Sequence, residues 1–249
     1  MKVIWKKVWR DVTARKGRTV QVVLSIGVGI FATGLTMGLL DIMQDRMGKT
    51  WRSANPAHIT VGGGVEDGGI GSGASDDTVR AIGKLPGIEG AEGKVNYNLR
   101  WKMRLEDPWE PVGLVARTDY DNQTYDKLVL EDGTWPSSRG IAVERGTAGK
   151  FDIAINSTIY LEVNERPRAF QVVGQVHDVW AEPVVFGADG SFYLTRGELE
   201  KIGGPGGYNQ IIAALPVYEE ELAKQKGVDI ADRLDDLGLN ASTPQTFDP

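Results

Sequence analysis

Thr19 to Leu40, TVQVVLSIGVGIFATGLTMGLL, decides how the chain is organised. These 22 residues carry no charge, and Gln21 is their one strongly polar member. At about 1.5 Å of rise per residue, a helix of this length runs roughly 33 Å, enough to cross a bilayer core of about 30 Å. A buried helix of a soluble domain is the plain alternative, but such helices average about 10–14 residues and keep a polar face. A secretory signal peptide is the sharper rival. Its apolar part is shorter, about 7–15 residues, and a small-residue cleavage site follows it. Here the chain leaves through Leu39-Leu40-Asp41-Ile42-Met43-Gln44, which offers no such site. The stretch reads as an uncleaved transmembrane helix over 19–40.

The flanks orient it. Residues 1–18 hold seven Lys and Arg against the single Asp11, a net of +6; the whole chain is −6, which leaves −12 for residues 19–249. Short basic segments beside a span stay in the cytoplasm. The expected location is the cell (inner) membrane, with the N-terminus cytoplasmic and the acidic bulk extracytoplasmic. An acidic ectodomain argues against nucleic acid as a partner. There is no cysteine, hence no disulfide or thiolate chemistry. His58 and His177 lie far apart without neighbours at ligand spacing, so they read as surface or strand residues and no metal is expected.

Four segments follow. Residues 1–18 form a cytoplasmic amphipathic segment in which Trp5, Val8, Trp9 and Val12 share one side. Trp5 and Trp9 there suit the membrane interface, in contact with lipid. Within the span, Gly34 and Gly38 stand at G-x-x-x-G spacing, which lets another helix approach closely. Residues 41–54 continue as a stalk helix, ended by Asn55-Pro56. Residues 55–249 form the extracytoplasmic domain.

That domain reads as α+β. The glycine-rich run 62–75 lacks the lysine of a phosphate-binding loop and reads as a flexible loop leading to Ser75, a helix cap. Val95, Tyr97, Leu99, Trp101, Met103 and Leu105 alternate with polar residues, a strand whose basic side reads as a solvated face. Further strands are expected at Ala57–Val61, Val112–Ala116, Ile141–Val143, Phe192–Leu194 and Gln210–Leu215, with a hairpin of Thr158–Val163 and Ala169–Val176 across Asn164–Pro167. A helical turn is expected over Glu144–Phe151. Thr195-Arg196-Gly197-Glu198 has capping-box spacing, and Asp229–Leu237 reads as the last helix. The order implies a mixed domain with split-βαβ and β-rich parts.

Several runs carry a resemblance. Arg15-Lys16-Gly17-Arg18-Thr19 followed by Leu24-Ser25-Ile26-Gly27-Val28-Gly29 resembles the first helix of FtsX-like ABC transporter permeases. Ile141-Ala142-Val143 through Asp152-Ile153, Thr158–Val163 and Phe170-Gln171-Val172-Val173-Gly174 is similar to their MacB-like periplasmic core domain. That run usually has Gly-Asp before the strand, where Asn156-Ser157 stands here. The resemblance implies a permease subunit that pairs with a second copy or homologue and with a separate cytoplasmic ABC ATPase. Its extracytoplasmic domain would transmit ATP-driven motion to the export of drugs, peptides or lipoproteins. Members carry further spans after this domain; nothing past Leu40 reads as one, so the chain is expected to be an N-terminal fragment. The alternative is a membrane-anchored extracytoplasmic adaptor or sensor without transport activity. An anchored enzyme is disfavoured, since no cysteine nucleophile, G-x-S-x-G or metal cluster is present; no catalytic residue and no cofactor are expected.

Overall fold

The computed structural model describes residues 16–62 and 73–248. Two compact units, Met1–Thr50 and Trp51–Pro249, divide the chain. Trp5, Trp9 and most of the glycine-rich run lie outside the described residues.

Among its described residues the first unit is one helix, α1 (Lys16–Ser53), whose last turn belongs to the second unit. It runs unbroken through residues 19–40 and the expected stalk. No proline interrupts it, and its glycines are spaced among strongly apolar residues. Val23, Ile26, Val28, Ile30, Phe31 and Met37 are all exposed, so the helix has no polar face along this stretch. Its hydroxyls find partners within the helix. Ser25 donates to the Gln21 carbonyl, Thr33 to Gly29 and Thr36 to Ala32, each at 2.9 Å. A methyl group added at Gly34 or Gly38 would meet nothing within 4 Å. Among the described residues no helix is long and apolar enough to cross a membrane. Side chains of α1 are described without a break over 23–39 and again over 48–53.

The second unit begins as a split βαβ. Its strands are β1 (Ile59–Gly62), the first half of β2 (Gly90–Lys102), β9 (Gln210–Ala214) and β10 (Gln245–Thr246). They lie in the order β10-β1-β9-β2, all antiparallel. Helices α2 (Asp76–Ile82) and α5 (Glu220–Asp236) make the two crossovers. Alternation along β1 sends the fully buried Ile59 and Val61 into one core with Val79 and Ile82 of α2 and Ile230 and Leu234 of α5. Ser75 caps α2 by accepting from the Thr78 amide. α5 starts nine residues before the expected Asp229. Its first turns, Glu-Glu-Leu-Ala-Lys-Gln-Lys, carry little apolar period. In the structure Glu220 pairs with Lys224 at 2.7 Å, an i,i+4 support. Gly227 is a packing device, since a Cβ there would lie 2.7 Å from Pro244 Cβ.

Between β2 and β9 the chain inserts a closed strand circuit. Its members are β2, β3 (Glu110–Arg117), β5 (Gly140–Glu144), β6 (Thr158–Val163), β7 (Arg166–His177) and β8 (Gly190–Thr195). The pairs β2–β3, β3–β8, β8–β5, β5–β7, β7–β6 and β6–β2 run round the ring, with β3–β8 and β5–β7 parallel. β4 (Val129–Gly133) pairs with β7 outside the ring. Closure removes exposed edges, and Trp101 fills the interior edge-on to Phe192 at 5.0 Å and Phe151 at 5.1 Å. α3 (Arg145–Phe151) and α4 (Arg196–Lys201) close two of the connections.

Three local expectations are corrected here. β2 starts at Gly90 and ends at Lys102; the alternation breaks at Leu105, which is 54% exposed, because Lys102 Nζ donates to the Leu105 carbonyl and Arg104 binds Asp107 in a turn. The hairpin turn is only Asn164-Glu165, both left-handed at φ 50 and 62, so Pro167 stands inside β7 opposite Glu162. The capping box is half formed. Thr195 accepts from the Glu198 amide, but the Glu198 carboxylate turns to Lys201 and Ser138. At the turn before β6, Asn156 adopts φ 68, a conformation open to Gly and tolerated by Asn.

Candidate functional site

The chain is fastened at several points just after α1 ends. Trp51, in the last turn, packs on Trp180 at 4.2 Å, and Trp180 packs on Phe247 at 5.0 Å. Asn55 then turns left-handed at φ 48 and lays its backbone against residues 124–127. Its Nδ2 donates to the Thr124 carbonyl at 2.7 Å, the Asp126 amide donates to the Asn55 carbonyl at 3.0 Å, and the Lys127 amide to the Ala54 carbonyl at 2.7 Å.

Asp126 is the hub of this junction. Its Oδ1 accepts from the Ala57 amide at 2.9 Å, and its Oδ2 pairs with Lys94 Nζ of β2. Its carbonyl accepts from Arg117 Nη2 of β3 at 2.7 Å. Arg117 also reaches the Tyr125 carbonyl and the Glu92 carboxylate, both at 3.1 Å. Lys94, Arg117 and Asp126 are all buried, and a buried charge is tolerable only when paired and hydrogen-bonded. Burial pushes the Lys94 ammonium below the ordinary lysine range, against the pull of Asp126. Two strands and one loop are thereby tied to residues 54–57, which leave the helix.

Beside the junction lies a groove of about 720 Å³. Its floor is the sheet face turned away from α2 and α5: Thr60 of β1, Gln210 of β9, Asn96 and Asn98 of β2, and Gly113 of β3. Asp178, just past β7, lies on its wall. The Asp178 carboxylate accepts from the Tyr193 hydroxyl at 2.9 Å and the Trp180 amide at 2.8 Å. Burial, together with this carboxylate, holds the Tyr193 hydroxyl well above the usual phenol range. Arg117 Nε and Trp180 Nε1 are buried without a hydrogen-bond partner among the described residues.

The residues singled out from sequence lie elsewhere. Gly34 and Gly38 belong to α1, and Trp5 and Trp9 are not described. The basic side of β2 is neutralised: Arg100 clasps Glu162 at 2.5 and 2.7 Å, and Lys102 sits 4.3 Å over the Trp109 ring. His58 Nδ1 accepts from the Leu215 amide at 2.8 Å, and burial holds this imidazole below its ordinary pKa of 6.5. Among the described residues no group of His, Cys, Asp or Glu is placed to hold a metal. Asp126, Lys94 and Arg117 carried no sequence signal, since isolated charges near strand ends are ordinary on solvated sheets.

The chain matches the family of MacB-like periplasmic core domains over residues 19–221. It belongs to that family. The MacB-like core is similar in fold to the extracellular domain of the noncanonic ABC-type transporter YknZ from Gram-positive bacteria, at TM-score 0.50 and 13% identity over 76% of this chain and 99% of that one. It is also similar to the periplasmic region of MacB from Actinobacillus actinomycetemcomitans, at TM-score 0.51 and 13% identity over 81% of this chain and 94% of that one. No curated protein matches it. At this identity the likeness shows the fold, a mixed α/β domain built on one sheet.

Proposed function

We propose that the chain is a permease-type subunit of an ABC transporter, in which residues 19–40 span the cell membrane with the N-terminus inside and the MacB-like core stands outside it. In this reading the cytoplasmic ATPase is a separate subunit, a second permease copy completes the assembly, and Gly34 and Gly38 face a neighbouring helix. Trp5 and Trp9 lie at the inner interface. The apolar, uncharged course of 19–40, its +6 flank and the self-satisfied hydroxyls of Ser25, Thr33 and Thr36 support the span, because lipid offers no partner to a polar group. The likeness in fold to the extracellular domain of the ABC-type transporter YknZ supports transport.

The observation that carries the reading is the Asp126 junction. A helix that merely anchored a domain needs no buried charge network where it ends. A helix that relays displacement needs a stiff link, and residues 51–57 are bound to 124–127 and to Trp180 by the contacts given above. Inserting Gly-Ser-Gly after Gly48 lengthens the link upstream of Trp51 and leaves the junction whole. In the complex reconstituted with its ATPase, the insertion is expected to abolish transport-coupled ATP turnover while assembly persists. Unchanged coupled turnover overturns the relay and favours the adaptor or sensor. A reporter enzyme fused after Trp51 checks the topology separately; activity confined to the cytoplasm rejects it.

A further inference from the structure

The groove beside the junction is not needed for a mechanical link, and its lining has a chemistry of its own. Its floor residues lie in strands joined by the ladders of β1, β9, β2 and β3, with β10 the outer strand. A ligand lying over this floor meets side chains rather than the edge of the sheet, which disfavours an extended peptide added through its main chain. Charge narrows the ligand further. Lys94 is spent on Asp126, and Arg117 on Glu92 and two carbonyls. Asp178, Glu182 and Asp189 add negative charge to the wall, so an anionic ligand is disfavoured.

What faces the groove otherwise is a mixed set of acceptors and donors beside aromatic surface. Asn96, Asn98, Gln210 and Gln245 each present a carbonyl and an NH₂ group, although Asn96 already donates to Gln210 at 3.0 Å. Asp178 accepts, while two lining residues, Arg117 and Trp180, carry buried donors, Nε and Nε1, without a hydrogen-bond partner among the described residues. Arg117 itself is only 4% exposed, and buried donors of this kind are costly unless something accepts from them. A hydroxyl both donates and accepts, so a polyhydroxyl ligand satisfies both halves of this lining at once. Trp180 and Phe247 supply the apolar wall for the C–H face of a sugar ring. Gly113 keeps the floor low: a Cβ there would come no nearer than 3.8 Å to the Gly190 carbonyl and 3.9 Å to Asn98 Oδ1. Gly in a strand interior often marks a bulge, a bend or a close approach by a ligand or another backbone, and the ladders on both sides of Gly113 run without a bulge.

We infer that this groove binds a neutral saccharide chain on the face of the sheet that carries no helix. The site stands apart from the transport reading, and either can fail without the other.

The test uses the full chain in a detergent without a sugar headgroup, which would compete. N-acetylchitotetraose, cellotetraose and maltotetraose are titrated by calorimetry, and saturation-transfer NMR reports contact with aromatic protons. Tetra-alanine and spermidine serve as the peptide and cation probes. At least one tetrasaccharide is expected to bind saturably. Asn98→Ala is expected to weaken it by about tenfold, the loss of one hydrogen bond in a desolvated site. Gly113→Ile projects a branched side chain into the groove from a strand position with space for its Cβ. It is expected to abolish binding with the unfolding midpoint unchanged. If Gly113→Ile unfolds the protein, Asn98→Ala together with Gln245→Ala, both at exposed positions, decides the matter. No saturable binding of any tetrasaccharide, binding that survives these variants, or binding of tetra-alanine or spermidine in their place overturns the inference.

Discussion

Asp126→Asn isolates charge from shape at the junction. Asn keeps the oxygen that accepts from the Ala57 amide and tolerates the left-handed φ of 45, so the backbone has no reason to move. What disappears is the negative partner of Lys94, a side chain only 11% exposed. Removing one member of a buried ion pair costs about 3–5 kcal/mol, because the survivor keeps its desolvation penalty without its attraction. Lys94 sits at the edge of the groove, so the lower end, about 3 kcal/mol, is expected. With a urea slope of about 1–3 kcal/mol per molar, the unfolding midpoint of the second unit, read by tryptophan fluorescence, should fall by roughly 1 M or more. The paired replacement Lys94→Met/Asp126→Asn should regain most of the loss, since no charge is then left buried. The pH dependence has a defined sign. Burial already holds Lys94 below its unfolded value of 10.5 and losing Asp126 removes the pull that opposes it, so the unfolded chain binds the extra proton between the two values. Stability of Asp126→Asn should therefore rise as pH climbs toward 10.5. A single variant within about 1 kcal/mol of wild type, or a double variant less stable than the single, would refute the hub.

Other outcomes are equally specific. Gly93→Ala places a Cβ 2.3 Å from the Tyr208 ring, which is itself held by Asp76 and Thr118, so overpacking should cost about 1–3 kcal/mol in the same urea assay. His58 is held below 6.5 by burial, so as pH falls beneath that value the unfolded chain protonates first and stability is lost down through the folded value; His58→Asn, whose carbonyl oxygen can still accept from Leu215, should flatten the difference between urea midpoints at about pH 7.5 and about pH 5. Gly34→Leu/Gly38→Leu should weaken crosslinking of the permease pair by an amount on the order of 1 kcal/mol per site without changing the urea midpoint of the second unit, and unaltered crosslinking would put both glycines toward lipid.

Local pattern by itself determined much of this protein. The alternation of Val95 to Trp101, the hydrophobic runs of β5 to β8, the Ser75 cap and the uncharged stretch 19–40 are visible because strand and helix periods act over a few residues. The runs at 141–153 and 158–174 were enough to point to the MacB-like core. Where an element lacked its period the pattern failed, as in the first turns of α5 with Gly227 among them. Only the tertiary structure decided that β2 changes partner along its length, Gly90–Lys94 against β9 and Val95–Trp101 against β3. It alone closed the strand ring and brought Asn55 to Thr124 across 69 positions and His58 to Leu215 across 157. The charges that matter most, Lys94, Arg117 and Asp126, look like any surface charge along the chain. Their meaning comes from burial, and burial is set by which distant segments cover them, a quantity that no local period contains.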